Sequence, residues 1–224
     1  MLLAEDLLLL VTDDTSGRLS APGEQVDAGL GGANLIELTL MGRVDFSGEE
    51  GGGKPGRLIV RDSTPAGDEV LDAALGIVMA RQGKRSSIVI RSLSKNLRRT
   101  LYERLAASGV IRAEQGRALM VFPLRRWPAQ DVSHEAEVCR LVTQALVQQT
   151  APDARSAALI ALVHAPRCEH KIVDPRLSGL SKRQLRTRAE EIAKGNWAPE
   201  SVRKVIDAMT AAVKAAAAAS SGAG

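Results

Sequence analysis

Leucine recurs at every fourth position in one stretch of this chain, which is the spacing that places side chains on one face of an α-helix. The four residues are Leu93, Leu97, Leu101 and Leu105. A second set falls on the opposite face at about 100° per residue, and it consists of Lys95, Arg98, Arg99 and Tyr102. The stretch therefore predicts a helix over residues 92–105 that buries its leucines and points a cationic stripe away from the core.

Aromatic residues are scarce, which restricts how the core can be built. Among 224 residues there are two Phe, two Trp and one Tyr, although 45% of the chain is hydrophobic. The core must therefore consist of Leu, Ile, Val and Ala, and the abundance of Leu and Ala favours helices. The length fits one domain with a sizeable core. We expect a mainly α, single globular domain over residues 1–218, a flexible tail at 219–224 and a protruding β-hairpin.

The remaining elements follow from apolar spacing and turn residues. Helices are predicted at 2–11, 29–42, 69–81, 134–149, 153–164, 174–194 and 198–218. The first is interpreted as amphipathic, and 153–164 is apolar all round and expected at the centre. Strands are predicted at 43–46 and 57–61 around a loop at 47–56, and residues 110–122 are predicted to form a hairpin whose turn lies at 112–117.

Positive charge is concentrated in one region. The net charge of +4 implies no particular partner. Eight basic residues nevertheless lie between positions 81 and 104, against Glu103 as the single acid: Arg81, Lys84, Arg85, Arg91, Lys95, Arg98, Arg99 and Arg104. Such a cluster can neutralise phosphate groups, and its ordinary alternative is a solvated helix face.

Two further partners fit the same cationic face. A helix followed by a hairpin is the order found in winged-helix proteins, so nucleic acid is an alternative, with the 112–117 turn touching the backbone. A third interpretation is an oligomeric scaffold that assembles through the 110–122 hairpin and binds protein tails.

Other motifs give no support to catalysis, a metal or a cofactor. The residues from His164 to His170 provide at most three ligands at a spacing unlike that of zinc sites. Gly29–Gly32 lacks the Lys-Ser/Thr pair of a phosphate-binding loop, and no catalytic triad is recognisable. We therefore expect a non-enzymatic protein without a cofactor.

The location expected from the sequence is the cytoplasm. Cys139 and Cys168 are too few for a disulfide scaffold, and the first ten residues contain Glu5 and Asp6, unlike a secretory signal. No apolar run reaches the ~20 residues that span a bilayer, so any membrane contact is expected to be peripheral. The abundance of Arg, Ala and Gly suits a GC-rich bacterial gene.

Four segments together resemble the Golgi phosphoprotein 3 family, in order and spacing, over about residues 3–213. They are GLGGANLIELTLMGR (29–43), DSTPAGDEVLDAAL (62–75), LAASGVI (105–111) and LIALVHA (159–165). The resemblance implies a helical domain with a hairpin that mediates oligomer contacts. It also implies a non-enzymatic peripheral membrane protein that binds phosphatidylinositol-4-phosphate on the cytosolic face and, in eukaryotes, helps to retain glycosyltransferases in the Golgi.

The family's lipid site is matched in part. It uses a Trp and an Arg upstream of the LIEL helix, and two basic residues three apart on a later helix. Lys95 and Arg98 match the basic pair, whereas Gly31 stands at the position of the Arg and residues 18–28 contain no Trp, with Pro22 near the expected place. The resemblance thus implies a binder of anionic, inositol-type phospholipid headgroups through Lys95 and Arg98, with Arg99, Arg91 and Arg85 adding to the field. A bacterial cell has no Golgi, so the trafficking role is not carried over and the protein cargo is unidentified.

Overall fold

The computed structural model describes residues 1–47, 56–118, 122–195 and 197–221. The fold is mainly α, as predicted. In chain order the helices are α1 (Leu3–Leu10), α2 (Gly23–Leu40), α3 (Glu69–Met79), α4 (Ser86–Leu93), α5 (Leu97–Ala107), α6 (Ser133–Val147), α7 (Ala154–His164), α8 (Glu169–Ile172), α9 (Pro175–Ser178), α10 (Lys182–Ala193) and α11 (Glu200–Ser221). The strands are β1 (Val44–Phe46), β2 (Leu58–Val60), β3 (Glu114–Ala118) and β4 (Phe122–Arg126).

The first helix is the centre of the core. All eight residues of α1 are buried, and the helix packs against α2, α5, α6 and α7. The amphipathic interpretation of this segment was wrong, because its two acids are buried with the leucines rather than exposed on a polar face. Helix α7, which was expected at the centre, is buried along most of its length, as predicted.

The buried acids of α1 are paired with side chains from other helices. Glu5 is 3% exposed and Asp6 is 2% exposed. Arg104 of α5 lies 2.9 Å from Glu5 and 2.6 Å from Asp68, the residue that caps α3. Arg155 of α7 lies 2.7 Å from Asp6. A buried charge is tolerated only when it is paired and hydrogen-bonded, so these contacts fix how α5 and α7 lie against α1.

His134 completes the set of partners around Asp6. Its Nε2 atom lies 2.8 Å from the Asp6 carboxylate, which connects the start of α6 to α1. At the other end of the network, the hydrogen bonds from Arg104 hold the pKa of Asp68 below its ordinary value. The same bonds raise the pKa of Arg104, so both groups remain charged.

One predicted helix is two helices. The stretch 92–105 is divided between α4 and α5, because Asn96 adopts a left-handed conformation with φ of 58°. Asn tolerates this conformation better than most residues other than Gly. Likewise, Gly179 with φ of 68° separates α9 from α10 inside the predicted helix 174–194.

Two of the predicted helix boundaries also move. Helix α2 begins at Gly23, six residues before the predicted start. Helix α11 reaches Ser221 and so continues into the predicted tail, of which 222–224 lie outside the described residues. Residues 88–90, which lie outside every predicted element, belong to α4.

Both strand pairs are antiparallel two-stranded sheets. In the first, Val44 pairs with Val60, as the predicted strands require, and most of the predicted loop 47–56 lies outside the described residues. In the second, Glu114 pairs with Arg126 and Ala118 with Phe122. The predicted hairpin position was wrong by four residues, because Pro123 was interpreted as a break. A proline can occupy a hairpin strand where its missing N–H faces away from the partner.

The base of the β3–β4 hairpin is anchored to the core. Ile111 and Ala129 form an isolated bridge between the two chain segments that enter and leave it. Trp127 follows β4, is buried, and stacks on Tyr102 with ring centroids 4.9 Å apart. Within the described part of the chain, neither strand packs extensively against a helix, so the hairpin extends from the domain.

Replacing Arg104 by Met tests the pairing of the buried acids. Because Glu5 would lose its cation, we expect Arg104→Met to lower the free energy of unfolding by about 2–4 kcal/mol, less than for a fully buried pair since Arg104 is partly exposed. Chemical denaturation measures this. Arg112→Met, which removes an exposed pair with Glu114, should cost only about 0–1 kcal/mol. Equal losses in the two variants would contradict the assignment.

Candidate functional site

The cationic stripe begins in the turn between α4 and α5. Ser94, which caps the end of α4, donates from its Oγ to the carbonyl of Ile90 at 2.8 Å, and Asn96 precedes α5. Lys95 lies between them and is exposed. The four leucines at 93, 97, 101 and 105 are all buried, as predicted. The two-helix geometry therefore keeps the leucine face inside and places Lys95 at the tip of a turn.

Arg98 does not point freely into solvent. Its Nε lies 3.2 Å from the Asp27 carboxylate on α2, and its side chain is 33% exposed. The guanidinium also lies against Gly23, where a Cβ atom would come within 2.6 Å of Nη1. Burial raises the pKa of Asp27, and the Arg98 charge opposes that rise. Arg98, one of the two residues that resemble the family's basic pair, is thus already in contact with a carboxylate of its own chain.

The other predicted site residues are exposed. Arg85 lies at the start of α4, Arg91 in its last turn and Arg99 in the first turn of α5. Arg99 lies 3.6 Å from Glu103, an exposed pair of small energetic weight. For Arg85, Arg91 and Lys95, no ion pair occurs within the described ranges. We call Arg85, Arg91, Lys95 and Arg99 the cationic edge.

Tyr102 is the member of the predicted stripe that the structure places elsewhere. It is buried, stacks on Trp127, and its hydroxyl lies 2.9 Å from Oγ1 of Thr12. Burial raises the pKa of this phenol. Placing it among the cations was wrong, because the break at Asn96 rotates α5 relative to the single helix that was predicted.

Gly31 lies where α2 and α4 are closest. A Cβ atom at this position would come within 2.5 Å of Ser94 Oγ and 2.7 Å of the Ile90 carbonyl oxygen. Neither a methyl group nor an arginine side chain fits against a backbone atom at that distance. The glycine at the position where the resemblance implies an arginine thus lies in a close helix–helix contact that leaves no room for a larger side chain.

A groove lies beside the cationic edge, and the sequence analysis did not identify it. Its volume is about 660 Å³. Helix α2 contributes Glu24 and Asp27, and α4 contributes Ile88 and Arg91. Alanines of α11 form another wall: Ala211, Ala212, Ala215, Ala216 and Ala219. The sequence does show two of the features that line the groove, namely two acids three residues apart on α2 and a run of alanines on α11. These features come together only through the packing of three helices, so the sequence alone did not indicate a groove.

The residues proposed for the winged-helix alternative do not form a turn. Residues 114–117 lie in β3, and the link between the strands is at 119–121, outside the described residues. Arg112 lies 2.5 Å from Glu114, with which it forms an exposed ion pair. The turn at 112–117 that this alternative requires is absent from the described part of the chain.

The histidine and cysteine residues have structural contacts. His164 Nδ1 lies 2.5 Å from the buried Glu169 carboxylate. Burial raises the pKa of Cys139 and of Cys168 to about 11, so both thiols are protonated at neutral pH. Within the residues that the structure describes, no group of three or more His, Cys, Asp or Glu is arranged to hold a metal ion.

Both tryptophans pack within the protein. Trp127 stacks on Tyr102, and Trp197 donates from Nε1 to the Ile192 carbonyl at 2.7 Å. Over the four described ranges, no helix is both long enough and apolar enough to cross a bilayer.

A family model described as Golgi phosphoprotein 3 (GPP34) matches residues 3–209 of the chain, which confirms the resemblance over nearly its whole length.

The close contact at Gly31 predicts opposite effects for two glycine substitutions. Alanine favours a helix over glycine by about 0.5–1 kcal/mol, but the clash at position 31 should reverse the sign and make Gly31→Ala destabilising by about 1–3 kcal/mol. Gly76, inside α3, has nothing within 4 Å of its Cβ position, so Gly76→Ala should stabilise the protein. Thermal unfolding of both variants measures this, and a stabilised Gly31→Ala protein would show that α2 and α4 are not in close contact.

Proposed function

Because the chain belongs to the Golgi phosphoprotein 3 family, we propose that it is a non-enzymatic adaptor that attaches reversibly to anionic phospholipid at the cytosolic face of a membrane. The headgroups would be of the phosphatidylinositol-4-phosphate type by family resemblance. Lys95 and Arg98 occupy the positions of the family's basic pair, with Arg85, Arg91 and Arg99 around them.

The observation that carries this proposal is the exposure of the cationic edge. Arg85 directly precedes α4, Arg91 lies in its last turn, Lys95 lies in the turn that follows, and Arg99 lies at the start of α5. Each cation near an anionic surface contributes about 1 kcal/mol of attraction. Four exposed cations on consecutive turns are sufficient for weak, reversible attachment without a deep pocket.

An exposed apolar residue lies among these cations. Ile88 on α4 is 50% exposed, one turn before Arg91. Cations that flank an exposed aliphatic side chain are typical of surfaces that lie in the interface of a bilayer. This combination favours a membrane over a nucleic acid, since bases are held by aromatic stacking and both tryptophans and Tyr102 pack within the protein.

Arg98 has a conditional role in this proposal. Its Nε is held by Asp27, while guanidinium carries further N–H donors on its two Nη atoms. A charge-assisted hydrogen bond contributes about 1.5–3 kcal/mol, but the neighbouring carboxylate reduces the attraction for a second anion. With Gly31 and Pro22 in place of the family's Arg and Trp, we expect attraction to anionic surfaces with little selection for one monophosphate.

Neutralising the cationic edge tests the proposal. We expect Arg91→Gln combined with Lys95→Gln to weaken binding to phosphatidylglycerol vesicles about 10- to 30-fold, since two cations near the surface contribute about 2 kcal/mol. Co-sedimentation measures this, and binding of the unaltered protein should decline as salt screens the charges.

The matched control removes the same charge from α10. Lys182 and Arg183 are exposed there, so Lys182→Gln combined with Arg183→Gln changes the net charge equally without touching the cationic edge. The control should retain most of the binding. Equal losses in the two double variants would mean that net charge alone drives attachment and that the edge is not the site.

The hairpin supports a homo-oligomeric contact as a second part of the proposed function. Within the described ranges strands β3 and β4 pair only with each other, so each has an outer edge to which a strand of another copy can add. Replacing residues 114–126 by a short glycine linker should keep the base closed through the Ile111–Ala129 bridge. Light scattering should then report a smaller particle than for the full chain, with an unchanged unfolding temperature as the control for folding. An unchanged mass would exclude the hairpin as the contact.

A further inference from the structure

The groove beside the cationic edge carries opposite charges on two of its helices. Helix α2 contributes Glu24 and Asp27, and α4 contributes Arg91. Glu24 and Arg91 are exposed, and neither forms an ion pair with any residue in the described ranges. A ligand that enters this groove therefore meets a free cation and a free carboxylate together.

Asp27 connects the groove to the family site. Its carboxylate accepts the contact from Arg98 Nε at 3.2 Å, and it also lines the groove. A carboxylate has about four lone-pair positions, so Asp27 can accept a second donor while it keeps Arg98. The acidic side of the groove and the matched basic pair are thus parts of one continuous surface.

The third wall is apolar. Five alanines of α11 line it, and Ile88 adds an exposed aliphatic side chain from α4. A groove of about 660 Å³ is within the range of about 300–1,000 Å³ that is usual for small-molecule sites. The volume accommodates a phospholipid headgroup, and the alanine wall accepts the apolar part of the lipid next to it.

We propose that this groove binds the headgroup of an aminophospholipid, with its phosphate at Arg91 and its primary ammonium at Glu24 and Asp27. The inference rests on the proposed membrane attachment and names a ligand class for the surface next to the cationic edge. The ligand is a zwitterion of the phosphatidylethanolamine type, which the cationic edge alone would not select.

Charge complementarity is the reason for this choice. A headgroup with phosphates alone would meet the unpaired carboxylate of Glu24, while Asp27 is compensated only by Arg98. A primary ammonium offers three N–H donors to these oxygens, whereas the quaternary ammonium of choline offers none. Ser87 also lines the groove, and its hydroxyl can donate to a phosphate oxygen.

Calorimetric titration of the full chain with soluble headgroups tests the ligand class. We expect glycerophosphoethanolamine to bind at least about 10-fold more tightly than glycerophosphocholine or glycerol 3-phosphate, which corresponds to about 1.4 kcal/mol. Glu24→Gln should abolish most of this preference, and Glu137→Gln, an exposed carboxylate on α6, should retain it. Equal affinities for the three compounds, no saturable binding, or a preference unaffected by Glu24→Gln combined with Asp27→Asn would overturn the proposal.

Filling the groove tests whether the source of the headgroup is a membrane. Phosphatidylethanolamine added to phosphatidylcholine vesicles should increase co-sedimentation of the unaltered protein. Ala215→Phe, which places a large side chain in the groove, should remove the increase, while Ala218→Phe on the same helix, outside the groove lining, should keep it. Binding of soluble headgroups without any response to these vesicles would overturn the assignment to a lipid.

Vesicles of phosphatidylglycerol separate this inference from the proposed attachment. If Arg91→Gln combined with Lys95→Gln does not weaken binding to these vesicles, while the unaltered protein still prefers glycerophosphoethanolamine, the attachment proposal is wrong. The proposed groove ligand would not be affected by that result. Normal binding to phosphatidylglycerol, without a preference among the soluble headgroups, would remove only the groove ligand.

Discussion

Two carboxylates buried on α1 are the constraint on which the arrangement of the helices depends. Glu5 and Asp6 lie in a helix that is covered on all sides, so each must meet a cation or a hydrogen-bond donor. Arg104, Arg155 and His134 supply these contacts from α5, α7 and α6. A desolvated ion pair adds little net stability, but removing one partner is strongly destabilising because the other charge stays buried and unpaired. Such pairs therefore select one packing arrangement over others in a core otherwise built from interchangeable aliphatic side chains.

The same requirement divides the cationic cluster into two groups. Arg104 is held by Glu5 and Asp68, and Arg98 is held by Asp27, so both belong to the packing of the helices. The cationic edge that remains exposed lies on α4, on the turn and at the start of α5. A count of basic residues along the chain thus overestimates the surface field. Function at this surface depends on which cations the core leaves free.

Local patterns were sufficient to predict most of the helices. The leucine spacing and the apolar run of α7 each act within a few residues. The division at Asn96 was missed because no Gly or Pro marks it, and the left-handed conformation of an Asn depends on what the flanking helices pack against. The hairpin position was predicted wrongly because Pro123 was interpreted as a break. Whether a proline breaks a strand depends on which edge of the strand faces a partner.

Only part of the candidate site could be predicted from the sequence, because the rest depends on contacts between residues that are far apart in the chain. Lys95 and Arg98 were identified through family resemblance, whereas the contact of Arg98 with Asp27 joins residues 71 positions apart. The groove is less accessible still, since α2, α4 and α11 each contribute one wall and none shows a motif alone. Both the Arg98–Asp27 contact and the groove depend on which distant residues the fold brings together.

The close approach at Gly31 has a consequence for how this chain could change over evolutionary time. An arginine introduced there would meet the Ile90 carbonyl before it could reach a ligand. Mutations that widen the gap between α2 and α4 would have to come first, and they would loosen the packing around Asp27 and Arg98 without an immediate gain. A single Gly-to-Arg substitution at position 31 would therefore cost helix packing before it could add a cation to the surface.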